Sequence, residues 1–166
     1  MLTIWGRTTS ARTQKVLWAL AEIGVDFELI LASGTMGPDG SVDKGNEPYG
    51  VVETPEYRLM NPNGTVPTIK DADFTLWESN SIIQYLAMKY APDAMYGDHL
   101  ETFASASRWM DWEGNMFLPH QHTLVMHLVR LPPEERDQTQ VEGARQALLR
   151  PLHIIDDQLA KTAFIS

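Results

Sequence analysis

The 166-residue chain contains no cysteine. That excludes disulfides, and with them any thiol–disulfide exchange through a thiol of the protein's own. Basic charge is scarce too: 13 Lys and Arg stand against 22 Asp and Glu, a net charge of −9. So acidic a chain is a poor partner for nucleic acid or an anionic membrane surface. No apolar run reaches membrane-spanning length, and the amino terminus enters a strand-like pattern directly, so no secretory leader is expected. A soluble, cytoplasmic protein is expected, although the lack of cysteine does not by itself identify the compartment. A serine hydrolase would want a Gly-x-Ser-x-Gly elbow and a partnered histidine, and Thr9-Ser10-Ala11 is no such elbow. There is no internal repeat or low-complexity tract, and the length allows one large domain or two small ones.

Two segments carry the most information. Asn61-Pro62-Asn63-Gly64 reads as a tight turn, in which proline sets φ and Gly64 takes φ > 0 without steric cost. It leads through Thr65-Val66-Pro67 into the apolar strand Thr68-Ile69, where Pro67 cannot donate to a ladder. A proline in that place needs a strand edge or a cis bond. Nine residues on, Glu78-Ser79 precede apolar residues at helical spacing, Ile82, Ile83, Leu86 and Tyr90, with Pro92 closing the run. Ser79 reads as the N-cap of that helix, and a helix N-terminus attracts anions.

The front of the chain supplies a βαβ opening. Leu2-Thr3-Ile4-Trp5 alternates like a strand, and Gly6 to Ser10 form a polar loop. A helix from about Arg12 to Ile23 follows, with Val16, Leu17, Leu20 and Ile23 on one face and Gly24 as its stop. Asp26 to Leu31 is a second strand. Phe74-Thr75-Leu76-Trp77 is another, separated from the proline strand by a turn at Asp71-Ala72-Asp73. The order is βαβ-ββα.

These segments together resemble the glutathione transferases, specifically bacterial members of the serine type with a thioredoxin-like N-terminal domain. The resemblance implies a cis bond between Val66 and Pro67, with the Val66 backbone turned outward to pair with the cysteinyl amide of glutathione. It implies that Ser79 and the amides behind it hold the γ-glutamyl carboxylate, with Glu78 on the neighbouring ammonium. In this type the active hydroxyl stands five residues before a basic residue. Ser10 precedes Lys15 by five, so Ser10 is the expected catalytic residue, with Thr9 as the fallback. Glutathione would be a co-substrate rather than a bound cofactor, and the only thiol in the reaction would be its own. The implied activity is transfer of that thiolate to an electrophilic small molecule, of the kind used in detoxification, by a homodimer. A non-catalytic binding or assembly module on the same fold is the alternative reading.

The second half is helical, so the fold class is α/β followed by all-α. Domain 1–90 would be the thioredoxin-like, glutathione-binding unit, 91–98 a linker bearing Pro92 and Gly97, and 99–166 a helical domain. One long helical segment holds Leu100, Phe103, Trp109, Met110, Trp112 and Phe117. Another runs from about Glu134 to Lys161, opened by Pro132-Pro133, with Pro151 inside it and Val141, Ala144, Leu148, Leu152, Ile155 and Leu159 as its apolar stripe. Trp109, Met116, Phe117 and Met126 are expected in the core. Arg108 is a candidate for an anionic group of glutathione or for the other subunit, against the plainer reading of a solvated helix charge. His120, His122 and His127 lack the spacing of a metal site, and no metal is expected.

Two departures from the family pattern stand out. Ala32 to Val52 is longer than the family usually has after its second strand, and rich in glycine and proline. Lys44 is the one candidate in it for the glycyl end of glutathione. The family also normally continues beyond Ser166 into a further buried helix. The helical domain is therefore expected to be partial, either as a fragment of a longer protein or as a domain completed by a partner.

Overall fold

The computed structural model describes residues 1–33, 51–95 and 99–166. They form two compact units, Met1–Asp98 and His99–Ser166. The first opens with β1 (Leu2–Gly6), α1 (Ala11–Ile23) and β2 (Phe27–Leu31). A 3₁₀ turn at Val51–Glu53 leads into α2 (Pro55–Met60), then β3 (Thr68–Asp71), β4 (Phe74–Trp77), α3 (Ser79–Tyr90) and the short α4 (Pro92–Met95). The strands make one sheet in the order β2-β1-β3-β4, with β1 and β2 parallel and the other two pairings antiparallel. This is the thioredoxin-like layout.

The core lies where α1 and α3 cover the sheet. Leu2, Ile4 and Ile69 from the strands meet Val16, Leu20, Ile82 and Leu86 from the helices. Gly24 ends α1 in the left-handed region at φ 75°, its N–H donating to the Leu20 carbonyl at 2.8 Å. Tyr90 departs from the expected apolar stripe. It is exposed, and its hydroxyl donates to the Asp71 carboxylate at 2.7 Å.

Asp71 gathers three donors from α3: Lys89 Nζ at 2.7 Å, the Tyr90 hydroxyl, and the Tyr85 hydroxyl at 2.9 Å. This ties the C-terminal end of α3 to the end of β3. Burial alone would raise the Asp71 pKa, but the hydrogen bonds from Lys89, Tyr90 and Tyr85 outweigh it and hold the carboxyl below its ordinary value. A depressed carboxylate contributes stability that is present above its unfolded pKa and lost as pH falls through the folded one. Asp71→Asn is therefore expected to cost about 1–2 kcal/mol near neutral pH, the scale of lost charge-assisted bonds. Urea melts at pH 7 and pH 3 check this: the difference from wild type should shrink at the acid end.

Two expectations change in this unit, and a third is not reached by the described residues. The order is βαβ-α-ββα, because α2 stands between β2 and β3. Thr54 caps it by accepting from the Tyr57 N–H at 3.2 Å, and Pro55 occupies the first turn. Pro92 does not simply close α3 into a linker; it starts α4. Most of the long segment after β2, including Lys44, lies outside the described residues.

The second unit runs through α5 (Leu100–Trp112), a widened π turn (Glu113–Phe117), α6 (Leu118–Val125), a second π turn (Met126–Arg130), a 3₁₀ turn (Pro133–Glu135) and α7 (Gln138–Leu159). The last helix begins later than the Pro132-Pro133 pattern suggests. Asp137 is its cap, accepting from the N–H groups of Thr139 at 2.8 Å and Gln140 at 3.3 Å, and these bonds hold its carboxyl below the usual range. His127 Nδ1 accepts from the Asp137 N–H at 3.1 Å, which gives this histidine a structural task. Val141, Ala144, Leu148 and Pro151 are the buried residues of α7, whereas Leu152 and Leu159, expected in the same stripe, are about half exposed at 47% and 48%. Met116, expected in the core, is exposed as well. Among the described residues no helix is long and apolar enough to cross a membrane.

Candidate functional site

Three segments leave the sheet at one end, and the strand register shows why. Trp5 near the end of β1 pairs with Thr68 at the start of β3, which in turn pairs with Trp77 at the end of β4. The Arg7–Ser10 loop, the Val66-Pro67 bend and the Glu78-Ser79 junction therefore continue from one row of residues across three strands. Residues widely separated in sequence meet there.

The first segment is held by its own backbone. The Ser10 N–H donates to the Arg7 carbonyl at 3.1 Å, and Gln14 Nε2 donates to the Thr8 carbonyl at 2.6 Å. Behind it, Gly6 is needed for space: a Cβ there would lie 2.5 Å from Thr13 Cγ2. That close approach seats the first turn of α1 on the end of β1. Ser10 is the N-cap of α1, at φ −86° and ψ 116°, and its Oγ accepts from the Thr13 N–H at 3.3 Å. A capping hydroxyl spends a lone pair on the helix and keeps its proton to donate elsewhere. Ser10 is half-buried, and among the described residues nothing accepts that proton. Thr9, one residue earlier, is exposed.

In the second segment the Val66-Pro67 peptide is cis. Pro67 is buried, and the Val66 side chain packs against a small cluster of Ala32, Val52 and Tyr57. Among the described residues neither the N–H nor the C=O of Val66 has a hydrogen-bond partner. This leaves one residue with a donor and an acceptor to offer to another backbone.

The third segment corrects the expected cap. Ser79 is the first residue inside α3 rather than its N-cap. Glu78 holds the cap position at φ 73° and ψ 113°, with no side-chain cap bond. The chain must turn sharply from β4 into α3, and a positive φ at a non-glycine residue achieves it at a cost of order 1–3 kcal/mol. Such strain concentrates at ligand-binding segments. The first bond of the helix ladder at this end runs from the Ile82 N–H to the Glu78 carbonyl at 2.9 Å, so the amides of residues 79–81 precede the ladder. Ser79 is buried, and no protein partner is found for its hydroxyl among the described residues. Glu78 is exposed.

Charge favours an anion here despite the net −9. Neither α1 nor α3 has an acidic residue in its first turn, and α1 carries Arg12 and Lys15 near its start. Lys15 Nζ donates to Asn80 Oδ1 at 2.5 Å, linking the helix that bears Ser10 to the one that begins at Ser79. Two positive helix ends face the same region, joined by the Lys15–Asn80 bond. Arg108, the remaining candidate, belongs to the helical unit, where it is exposed, donates to Ser105 Oγ at 3.3 Å and lies 5.7 Å over the Trp109 ring.

The second segment also has a support that the sequence pattern did not reveal. Beneath the Val66 bend, Tyr57, Asn61 and Thr68 form a buried polar network. Thr54-Pro55-Glu56, a capping residue followed by proline and an acid, was the signal for the helix that carries it.

Comparison with known proteins matches residues 9–89 to the glutathione S-transferase N-terminal domain family. Over 169 aligned residues the chain is 37% identical to glutathione S-transferase GstB of Escherichia coli strain K12, covering 100% of this chain and 74% of the relative. Among solved structures, a theta class glutathione S-transferase from Xanthomonas axonopodis pv. citri, with glutathione bound, superimposes with a TM-score of 0.78 at 37% identity. That match covers 93% of this chain and 70% of the other. Glutathione transferase F2 from Populus trichocarpa gives 0.82 at 28% identity, covering 99% and 73%.

Proposed function

This chain belongs to the glutathione S-transferase family, and from that premise we propose that it binds reduced glutathione, stabilises its thiolate with the Ser10 hydroxyl and transfers the sulfur to an electrophilic small molecule. The observation that carries the proposal is the Ser10 hydroxyl, committed to the helix as an acceptor while its proton stays available.

Two parts of the tripeptide have counterparts among the described residues. The γ-glutamyl carboxylate suits the N-terminus of α3 and the buried Ser79 hydroxyl, while Glu78 takes the ammonium beside it. The cysteinyl main chain pairs with the N–H and C=O of Val66. This sets the sulfur toward the N-terminus of α1, where Ser10 donates to it. An unperturbed thiol has a pKa of ~8.5, and lowering it by ~2 units requires ~2.7 kcal/mol. A hydrogen bond to a charged atom gives about 1.5–3 kcal/mol, and a helix N-terminus about 0.3–1. The two together suffice. The thiol proton passes to solvent, a C–S bond forms, and a leaving group departs or an activated double bond takes up the electron pair. The reaction needs no metal or resident cofactor, since glutathione is itself the co-substrate. A homodimer and a cytoplasmic, detoxifying role belong to the same proposal, and Lys44 and Arg108 are its secondary candidates for ligand contacts.

Calorimetric titration with reduced glutathione, paired with an aryl halide conjugation assay, tests the reading. Binding at millimolar concentration or tighter, with turnover, is expected. No binding at that concentration would remove the proposal. Binding without conjugation would leave the non-catalytic module in its place.

A further inference from the structure

We infer that Tyr57 and Asn61 are positioning residues that aim the Val66 N–H at the ligand, by anchoring the carbonyl on the other side of the same peptide. The inference rests on glutathione pairing with Val66, as proposed above. It adds residues from an element with no place in the ligand scheme.

The geometry is specific. The Thr65 carbonyl accepts twice, from the Tyr57 hydroxyl at 2.7 Å and from Asn61 Nδ2 at 2.9 Å. Tyr57 has a single proton and gives it to Thr65, so its 2.7 Å contact with Thr68 Oγ1 has threonine as the donor. Thr68 Oγ1 in turn accepts from Asn61 Nδ2 at 3.0 Å. Asn61 Oδ1 accepts from the Asn63 N–H and from Asn63 Nδ2, both at 3.1 Å, which fixes the amide's orientation. Tyr57, Asn61 and Thr68 are 1%, 0% and 0% exposed, so water offers no substitute for these bonds. Burial pushes the Tyr57 phenol above its ordinary pKa despite opposing hydrogen bonds, so it stays a donor across the working pH range.

A trans peptide is planar, with its C=O and N–H pointing in opposite directions. Only the next bond, Val66-Pro67, is cis. Two buried donors drawing the Thr65 oxygen inward therefore turn the Val66 N–H away from them, to the side where it has no protein partner among the described residues. The Val66 side chain, packed on the Tyr57 cluster, holds the residue from its other end. The aim of this donor is thus set by α2, before any ligand arrives.

Tyr57→Phe tests the inference, because it removes one donor to Thr65 while keeping the ring. The expected result is a Kd and KM for reduced glutathione raised roughly five- to tenfold, the scale of one backbone hydrogen bond. At saturating glutathione, kcat and the pKa of the bound thiol should stay at wild-type values, because Ser10 is untouched. Asn61→Ala, which removes the other donor, should move Kd in the same direction. Tyr85→Phe, a comparable hydroxyl loss at the Asp71 clamp, should leave Kd unchanged. A glutathione analogue with the cysteinyl carbonyl reduced to methylene should bind wild type more weakly than glutathione, and the gap should narrow in Tyr57→Phe. An unchanged Kd in Tyr57→Phe, or an equal rise in Tyr85→Phe, overturns the inference while glutathione binding by the parent protein stands. Failure of the parent to bind glutathione overturns both.

Discussion

Ser10→Ala is expected to lower kcat/KM for conjugation by roughly 10- to 100-fold at neutral pH, the cost of one hydrogen bond to a charged sulfur. Its pH dependence is more telling than its size. Without the hydroxyl, the bound thiol should ionise near ~8.5 rather than ~6.5, so the deficit should be widest between about pH 6 and 7. Above about pH 9, where thiolate forms unaided, the deficit should fade. Loss of the cap complicates the alanine variant, since Ser10 Oγ also accepts from the Thr13 N–H. Removing a capping serine costs ~1 kcal/mol of stability as alanine but only a few tenths as glycine. Ser10→Gly should therefore lose as much rate as Ser10→Ala while melting closer to wild type, and Ser10→Thr should recover much of both. Equal recovery of rate in the glycine variant would mean that Ser10 serves the helix alone.

The other large effect is expected at the start of α3. Ser79→Asp places a carboxylate where the ligand's own carboxylate is proposed to sit. Two such charges ~4 Å apart repel by ~4 kcal/mol at an effective dielectric constant of 20. Partial screening leaves a loss of glutathione affinity of at least roughly 100-fold. An acidic side chain at a helix N-terminus otherwise favours the helix by about 0.3–1 kcal/mol. The variant should thus stay folded while losing its ligand. Ser79→Ala, which removes one hydrogen bond without adding charge, should weaken binding by roughly tenfold or less. Calorimetry and thermal melts on both variants separate the outcomes. Undiminished affinity in Ser79→Asp would place the γ-glutamyl group elsewhere.

Local chemistry made much of this fold readable. Gly24 stops α1 because its φ of 75° suits glycine, and β4 spans the four residues that its composition marked. The cis bond at Pro67 also agrees with the turn-then-strand context of that proline. What failed to show depended on backbone geometry or on long-range packing. Ser79 has the side chain of a cap, yet the chain leaves β4 through a positive φ at Glu78 and carries Ser79 into the helix. Pro132-Pro133-Glu134-Glu135 has the composition of a helix start, but Asp137 is the residue that reaches two orphan amides. The six residues of α2 are too few to show a periodic stripe, so its cap was the only sign of it. Tyr57 went unnoticed for the same reason, and Asn61 was read only as the start of a turn. Their function depends on the Thr65 carbonyl above them, which no side-chain pattern encodes. The stripe of α7 was visible, but periodicity does not say how much of a stripe is covered, and Leu152 and Leu159 stand half exposed. The site is the strongest case. Ser10, Val66 and Ser79 share one end of the sheet because Trp5, Thr68 and Trp77 are in register, a relation that exists only after folding.

The central claim is that this protein lowers the pKa of a thiol it borrows. Ultraviolet titration of the thiolate band in the glutathione complex, with wild type and Ser10→Ala side by side, measures that directly. The expected result is a bound-thiol pKa about two units below the free value of ~8.5 in wild type, and a return toward that value in the variant. A wild-type complex that titrates like free glutathione, or a variant that titrates like wild type, would contradict it.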